Sequence, residues 1–247
     1  GYVHWTSSLF ADGGGVPEDA FGCPTILRGG APRTNPGGKA LDWEPGQVND
    51  NGSTTPTETP TDRQAKRTAY AGNGAIFPRN KFAGSDGLRR NQLVKDAQIE
   101  FASNTILVTE FFYRGDWSAL TTGEGTIKSH RPITPFVGRS SGFDVYSEPS
   151  GSGTRPRFAY PEENDIVVEE EVQRGSIDGS GLTTLNAVGR HHKGSKDKKG
   201  GGANFAFVDG HVESSTVLQT VQERRWGHRF WSITGGDNRV YDPRDGN

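Results

Sequence analysis

Apolar positions along this chain come in short, separated runs, with long stretches of Gly, Pro, Ser, Thr, Asn and Asp between them. The densest run is "NTILVTEFFY", Asn104 to Tyr113. Its β-branched and aromatic side chains favour a pleated backbone, which predicts a mostly buried strand and the first element of a core. In "ANFAFVDGHVESS" the pattern alternates, so Phe205 and Phe207 share one face, and Asp209-Gly210 suits a two-residue turn. That segment predicts a β-hairpin. A short helix is expected next, at Ser215 to Glu223, with Ser214 or Ser215 as N-cap and Leu218 and Val221 facing inward.

Weaker runs fill in the remainder. "RTAYAGNGAIF" sets small apolar and aromatic residues about an Asn-Gly turn, and Leu88 to Ile99 fits either a short helix or a helix-to-strand passage. "GFDVYSEP", "RPRFAYP" and "NDIVVEEEVQRG" predict three short strands, the last with an acidic edge from Glu169 to Glu171. Between Gly115 and Gly142 loops are expected, with "HRPITPFVGR" an extended, proline-spaced passage. The aromatic tail "RRWGHRFWSITGGDNRVYDPRDGN" is expected to pack back on the sheet. From Asp12 to Thr61 the chain reads as punctuation, and an elaborated surface loop is expected at about residues 45–64. Its Ser53 to Thr61 run has a stalk-like composition, and Asn51 heads a glycosylation sequon.

Composition sharpens this picture. Glycine supplies 35 of the 247 residues, about twice its ordinary share, and apolar residues make up 31%. Long packed helices are excluded, and the expectation is one α+β domain over residues 1–247, built on an antiparallel sheet. The formal charge of −2 offers no field for a polyanion, so nucleic acid is not an expected partner. The longest apolar stretches, such as Ile106 to Val108, fall far short of the ~20 residues needed to span a bilayer, so no membrane contact is expected of this segment. The single cysteine, Cys23, has no internal disulfide partner and reads as a packed thiol.

The stretch "GRHHKGSKDKKGGGANFAFVDGHVE" resembles the signature of a family of prepilin-type, pseudopilin-like surface proteins common in planctomycetes, in which a His precedes an Asp-Gly hairpin near the C-terminus. The matching residues are His192, Gly201, Gly202, Asn204, Phe207, Asp209, Gly210, His211 and Val212. The spacer between the His and the Asp-Gly pair is usually shorter in that family, and "KGSKDKKG" is inserted here. "GYVHW", "FGCPT", "NTILVTEFF" and "WGHRFWSITGGDNRVY" resemble its other segments. The resemblance implies the head domain of a type IV pilin or pseudopilin, without the apolar N-terminal helix that a prepilin peptidase cleaves and that packs into a filament core or membrane. It also implies an extracellular or cell-surface location, with other pilin-like subunits or further copies of itself as partners; the basic run Lys193 to Lys199 is a candidate for acidic surface glycans or a partner subunit, with a solvated loop as the default reading of such a run.

Candidate chemistry adds little to a structural or adhesive role. The signature residues His192, Asn204, Asp209, Gly210 and His211 read as a structural motif, with His192 or His211 tying the hairpin to a neighbouring loop. His191, His192, His211 and His228 lack metal-ligand spacing. Some pseudopilin heads carry a C-terminal calcium site, which by that resemblance makes Asp237 and Asp242 candidate ligands; no other cofactor is expected. No nucleophile elbow, phosphate loop or spaced carboxylate pair converges on catalysis, and no enzyme activity is expected. The alternative is a secreted carbohydrate-binding module or glycoside-acting enzyme, which needs Trp43, Trp117, Trp226 or Trp231 to line an exposed groove with convergent carboxylates.

Overall fold

A computed structural model describes residues 3–11, 13–49, 52–56, 61–77, 92–112, 114, 120–122, 125–128, 132–138, 158–175, 177, 183–233 and 238–245. The chain forms two compact units: Gly1–Ala71 with Phe111–Ala119 and Lys128–Arg131, and Gly72–Glu110 with Leu120–Ile127 and Pro132–Asn247. Its elements are short and mixed, in an α+β arrangement that is mostly antiparallel sheet.

The first unit has little regular structure: helix α1 (Trp5–Phe10) and the two-residue strands β1 (Ala31–Pro32) and β2 (Arg67–Thr68), paired antiparallel. His4 caps α1, its Nδ1 accepting the Thr6 N–H at 3.4 Å. Trp5 meets Phe21 edge-on at 5.8 Å between ring centroids. The glycine- and proline-rich passage at 12–61, expected to be a surface loop, is partly interior. It lacks apolar bulk, so hydrogen bonds stand in for it: Asn35 donates its backbone N–H and Nδ2 to buried Asp62 at 2.9 and 3.0 Å, and Gln47 Nε2 donates to the Arg33 carbonyl at 2.8 Å. Cys23 is buried as expected, its Sγ 2.9 Å from Thr25 Oγ1.

The chain passes from the first unit to the second at β3 (Tyr70–Gly72). The second unit is organised on β4 (Ile106–Glu110), the strand expected within "NTILVTEFFY". Strands β5 (Leu120–Thr122) and β6 (Gly125–Ile127) pair antiparallel in the passage where only loop was expected. Strand β7 (Val137–Gly138) pairs antiparallel with β8 (Phe158–Ala159), the strand expected in "RPRFAYP", whereas "GFDVYSEP" lies outside the described residues. The third strand of that group, "NDIVVEEEVQRG", is instead a 3₁₀ turn at Glu163–Asp165 and helix α2 (Glu169–Gln173). Three glutamates in the first turn of α2 meet the positive end of the helix dipole while Val172 is buried, which favours helix over an edge strand.

The signature region contributes β9 (His192–Asp197), β10 (Gly200–Phe207) and β11 (Val212–Thr216). Strand β10 pairs antiparallel with β11 on one edge; on the other it pairs with β9 near its start and with β4 near its end. The hairpin turn has three residues, not two. The Gly210 N–H donates to the Phe207 carbonyl at 3.0 Å and the Phe207 N–H to the His211 carbonyl at 2.9 Å, leaving Val208, Asp209 and Gly210 as the loop. Only Gly210 is left-handed, with φ +93°, whereas a two-residue turn of the Asp-Gly type needs positive φ at both positions.

Helix α3 (Val217–Gln222) starts two residues later than expected because Thr216 is the cap, its Oγ1 accepting the Gln219 N–H at 3.2 Å. Leu218 and Val221 are buried as expected. Strand β12 (Val240–Tyr241) pairs in parallel with β8. Beneath these elements Phe136, Tyr160, Phe158 and Phe230 form an aromatic core; Phe158 and Phe230 stack at 4.7 Å, and Trp226 meets Phe205 edge-on at 6.2 Å. The aromatic tail packs inward as expected, with Trp226 and Trp231 buried.

Candidate functional site

The second unit gathers polar side chains at both ends of β10. At its start, β4 ends on Glu110, whose side chain is 1% exposed. A carboxylate in such a place must be surrounded by donors. The backbone N–H of Asn204 donates to Oε2 at 2.8 Å, Asn204 Nδ2 donates to Oε1 at 3.4 Å, and His192 Nε2 lies 2.9 Å from Oε1. His192 Nε2 and Asn204 Nδ2 are 3.1 Å apart. Since a carboxylate only accepts, the ring is assigned as the tautomer that donates from Nε2 to Glu110, and the Asn204 amide gives its hydrogen to the same oxygen. Local backbone geometry supports the cluster: the Gly189 N–H donates to the Glu110 carbonyl at 2.7 Å, and a Cβ at Gly189 would sit 3.1 Å from Glu110 Cβ.

The three glycines that open β10 keep this corner tight. A Cβ at Gly201 would stand 2.5 Å from the Arg190 carbonyl oxygen, and one at Gly200 2.7 Å from Glu169 Cβ. Glu169 accepts the Gly201 N–H at 2.9 Å. Buried Arg190 donates to the carbonyls of Val167 and Lys199 at 2.7 and 2.6 Å, and burial lowers its pKa to about 10. The inserted "KGSKDKKG" is thereby a structured part of the β9–β10 hairpin.

At the far end of β10, His211 stacks on Phe207 with ring centroids 4.3 Å apart. Its Nδ1 lies 2.6 Å from Asp209 Oδ1 and its Nε2 3.3 Å from Glu213 Oε1. The His211 side chain and backbone N–H hold the Asp209 carboxyl below its ordinary value. Arg225 pairs with Glu213 and Glu223 and lies 5.4 Å above the Phe207 ring.

The five signature residues thus divide: His192 and Asn204 meet at the start of β10, while Asp209, Gly210 and His211 shape the turn at its end. Sequence reasoning missed Glu110 as their partner. The available signal was one acidic residue inside the apolar run "ILVTEFF". Of the two calcium candidates, Asp237 lies outside the described residues, and Asp242 is engaged by cations. Arg224 donates Nε and Nη2 to its two oxygens at 2.7 and 2.8 Å, and Arg244 Nη2 donates at 2.9 Å, which holds the carboxyl far below its usual range. Arg224 also lies 4.4 Å above the ring of Tyr160, whose buried hydroxyl accepts the Trp226 N–H at 2.9 Å and is pushed up by desolvation. Trp226 and Trp231 are interior, Trp43 is half-buried and donates Nε1–H to the Gly37 carbonyl at 2.8 Å, and Trp117 lies outside the described residues.

No protein-family model, curated protein or solved structure matches the chain. The fold itself defines a class: α+β, mostly antiparallel sheet. Among the described residues, no helix is long and apolar enough to cross a membrane.

Proposed function

We propose that this chain is the head of a pilin-like or pseudopilin-like surface subunit, working in assembly, display or attachment at the cell surface and not in catalysis. The observation that carries the reading is the use made of the signature residues. His192 and Asn204 close over the buried Glu110 carboxylate, and Asp209, Gly210 and His211 shape the turn at the other end of the same strand. These contacts tie strands and turn together, as suits residues that hold a hairpin in a sheet. Burial of Trp226 and Trp231 speaks against the alternative of a tryptophan-lined glycan groove.

N-terminal sequencing and intact mass of the native protein from cells test the proposal. It expects an additional apolar helix with a methylated first residue. A mature protein that begins at Gly1 behind a conventional secretion signal would remove the assembly mechanism.

A further inference from the structure

The first unit contains a cleft of about 500 Å³, within the range of small-ligand sites and large enough for roughly two hexose rings. Gly22 and Gly29 line it where their backbones approach, the Cys23 N–H donating to the Gly29 carbonyl at 2.9 Å. Arg28, Lys66 and Arg67 supply cations, and Glu18 and Asp19 supply carboxylates.

The cationic groups are organised in advance. Glu44 bridges two guanidiniums, accepting from Arg28 Nη1 at 2.5 Å on one oxygen and from Arg67 Nη2 on the other, while Arg67 Nη1 donates to the Gly30 carbonyl at 2.7 Å. Arg28 sits at φ 59°, ψ 16°, a left-handed conformation that opposes its Cβ, and it precedes two positive-φ glycines. Strain of this kind gathers at ligand clamps. Among the described residues the Arg28 Nε and Nη2 and the Lys66 ammonium have no hydrogen-bond or ion-pair partner, and the Arg28 side chain is 50% exposed. On the acidic side Glu18 Oε1 accepts the Lys66 backbone N–H at 2.6 Å and lies 3.8 Å from Arg33 Nη2, while the Asp19 carboxylate accepts no hydrogen bond among the described residues.

Arginine and lysine donors match a ligand carboxylate, and neighbouring carboxylates match hydroxyl donors. An anion without hydroxyls, such as phosphate, would leave Glu18 and Asp19 without donors, and a neutral sugar would leave Arg28 and Lys66 unmatched. We propose that this cleft binds a uronic acid residue of an acidic polysaccharide, its carboxylate on Arg28 and Lys66 and its hydroxyls on Glu18 and Asp19. The site is ionic and does not use aromatic stacking. It deepens the attachment reading above and rests on it for the polymeric nature of the ligand.

Calorimetric titration of the full chain with a galacturonic acid trisaccharide, a galactose trisaccharide and inorganic phosphate tests the assignment. The uronate is expected to bind, weaken with added salt, and exceed the other two by about tenfold or more. Arg28→Gly removes the guanidinium from a backbone that glycine adopts freely, so uronate affinity should fall about tenfold while Tm holds or rises. Lys66→Ala should weaken binding in the same direction. Absence of uronate binding at about 10 mM, equal binding of the neutral sugar or of phosphate, or undiminished binding by Arg28→Gly overturns the proposal. Uronate binding by a protein whose native form carries no pilin-type helix would keep this site and remove only the assembly reading.

Discussion

Glu110 and His192 stand 82 residues apart in sequence and 2.9 Å apart in space, joining the end of β4 to the start of β9. Deleting the carboxylate strands the half-buried Asn204 N–H as well as the imidazole. Glu110→Ala is therefore expected to cost about 2–4 kcal/mol, and His192→Ala, at the half-exposed side of the pair, about 1 kcal/mol. Urea denaturation of both single variants and the double variant checks this. The double should lose less than the sum, because the two groups share one interaction.

The triple glycine predicts a steep position dependence over a few residues. Gly201→Ala drives a Cβ against the Arg190 carbonyl and is expected to cost on the order of 2–3 kcal/mol. Gly194, on β9, faces open space at its Cβ position, and Gly194→Ala should stay within about 0.5 kcal/mol. Thermal melts of the pair give the comparison; equal effects would contradict the close approach at Gly201.

Acid should weaken the first unit through His4. Burial lowers this imidazole from 6.5 to about 4, so the folded protein holds it neutral over a range where the unfolded chain takes up a proton. Its share of stability is present above about pH 6.5 and is lost as pH falls toward 4, by about 3 kcal/mol. The difference in stability between the parent and His4→Asn, measured at pH 7 and pH 4.5, isolates this share: the parent's advantage should shrink on acidification.

Asp242 is expected to answer to arginine and not to calcium. Calcium and a chelator should leave Tm unchanged, while Asp242→Asn, which breaks the fork with Arg224, should lower stability by about 1–2 kcal/mol. The contribution of this carboxylate is present above the ordinary Asp value and is lost only as pH falls below about 4. A calcium-dependent rise in Tm that Asp242→Asn abolishes would reinstate the ion.

The elements most legible in sequence were those where local preference and burial agree. Strand β4 is dense in β-branched residues, the β10–β11 hairpin alternates with a period of two, and α3 turns Leu218 and Val221 inward, although its cap is Thr216 and not the expected Ser214 or Ser215. Helix α2 was misread because a five-residue helix has too little length for its period to show, and its acidic first turn resembles a solvated strand edge. The polar interior of the first unit was also hidden. Asn35, Asp62 and Gln47 look like loop residues until the chain brings their partners together. Glu110 was invisible as a site for the same reason, since its meaning depends on an Asn and a His far along the chain.

The register of β9 on β10 jumps: His192 lies opposite Gly202, yet Lys196 lies opposite Gly201. Residues 193–195 are thus absorbed outside the regular ladder, and the pairing on either side is kept. Spacer length in this stretch can then drift without disturbing the sheet, which makes exposed Lys193 and Gly194 a natural place to graft a foreign epitope.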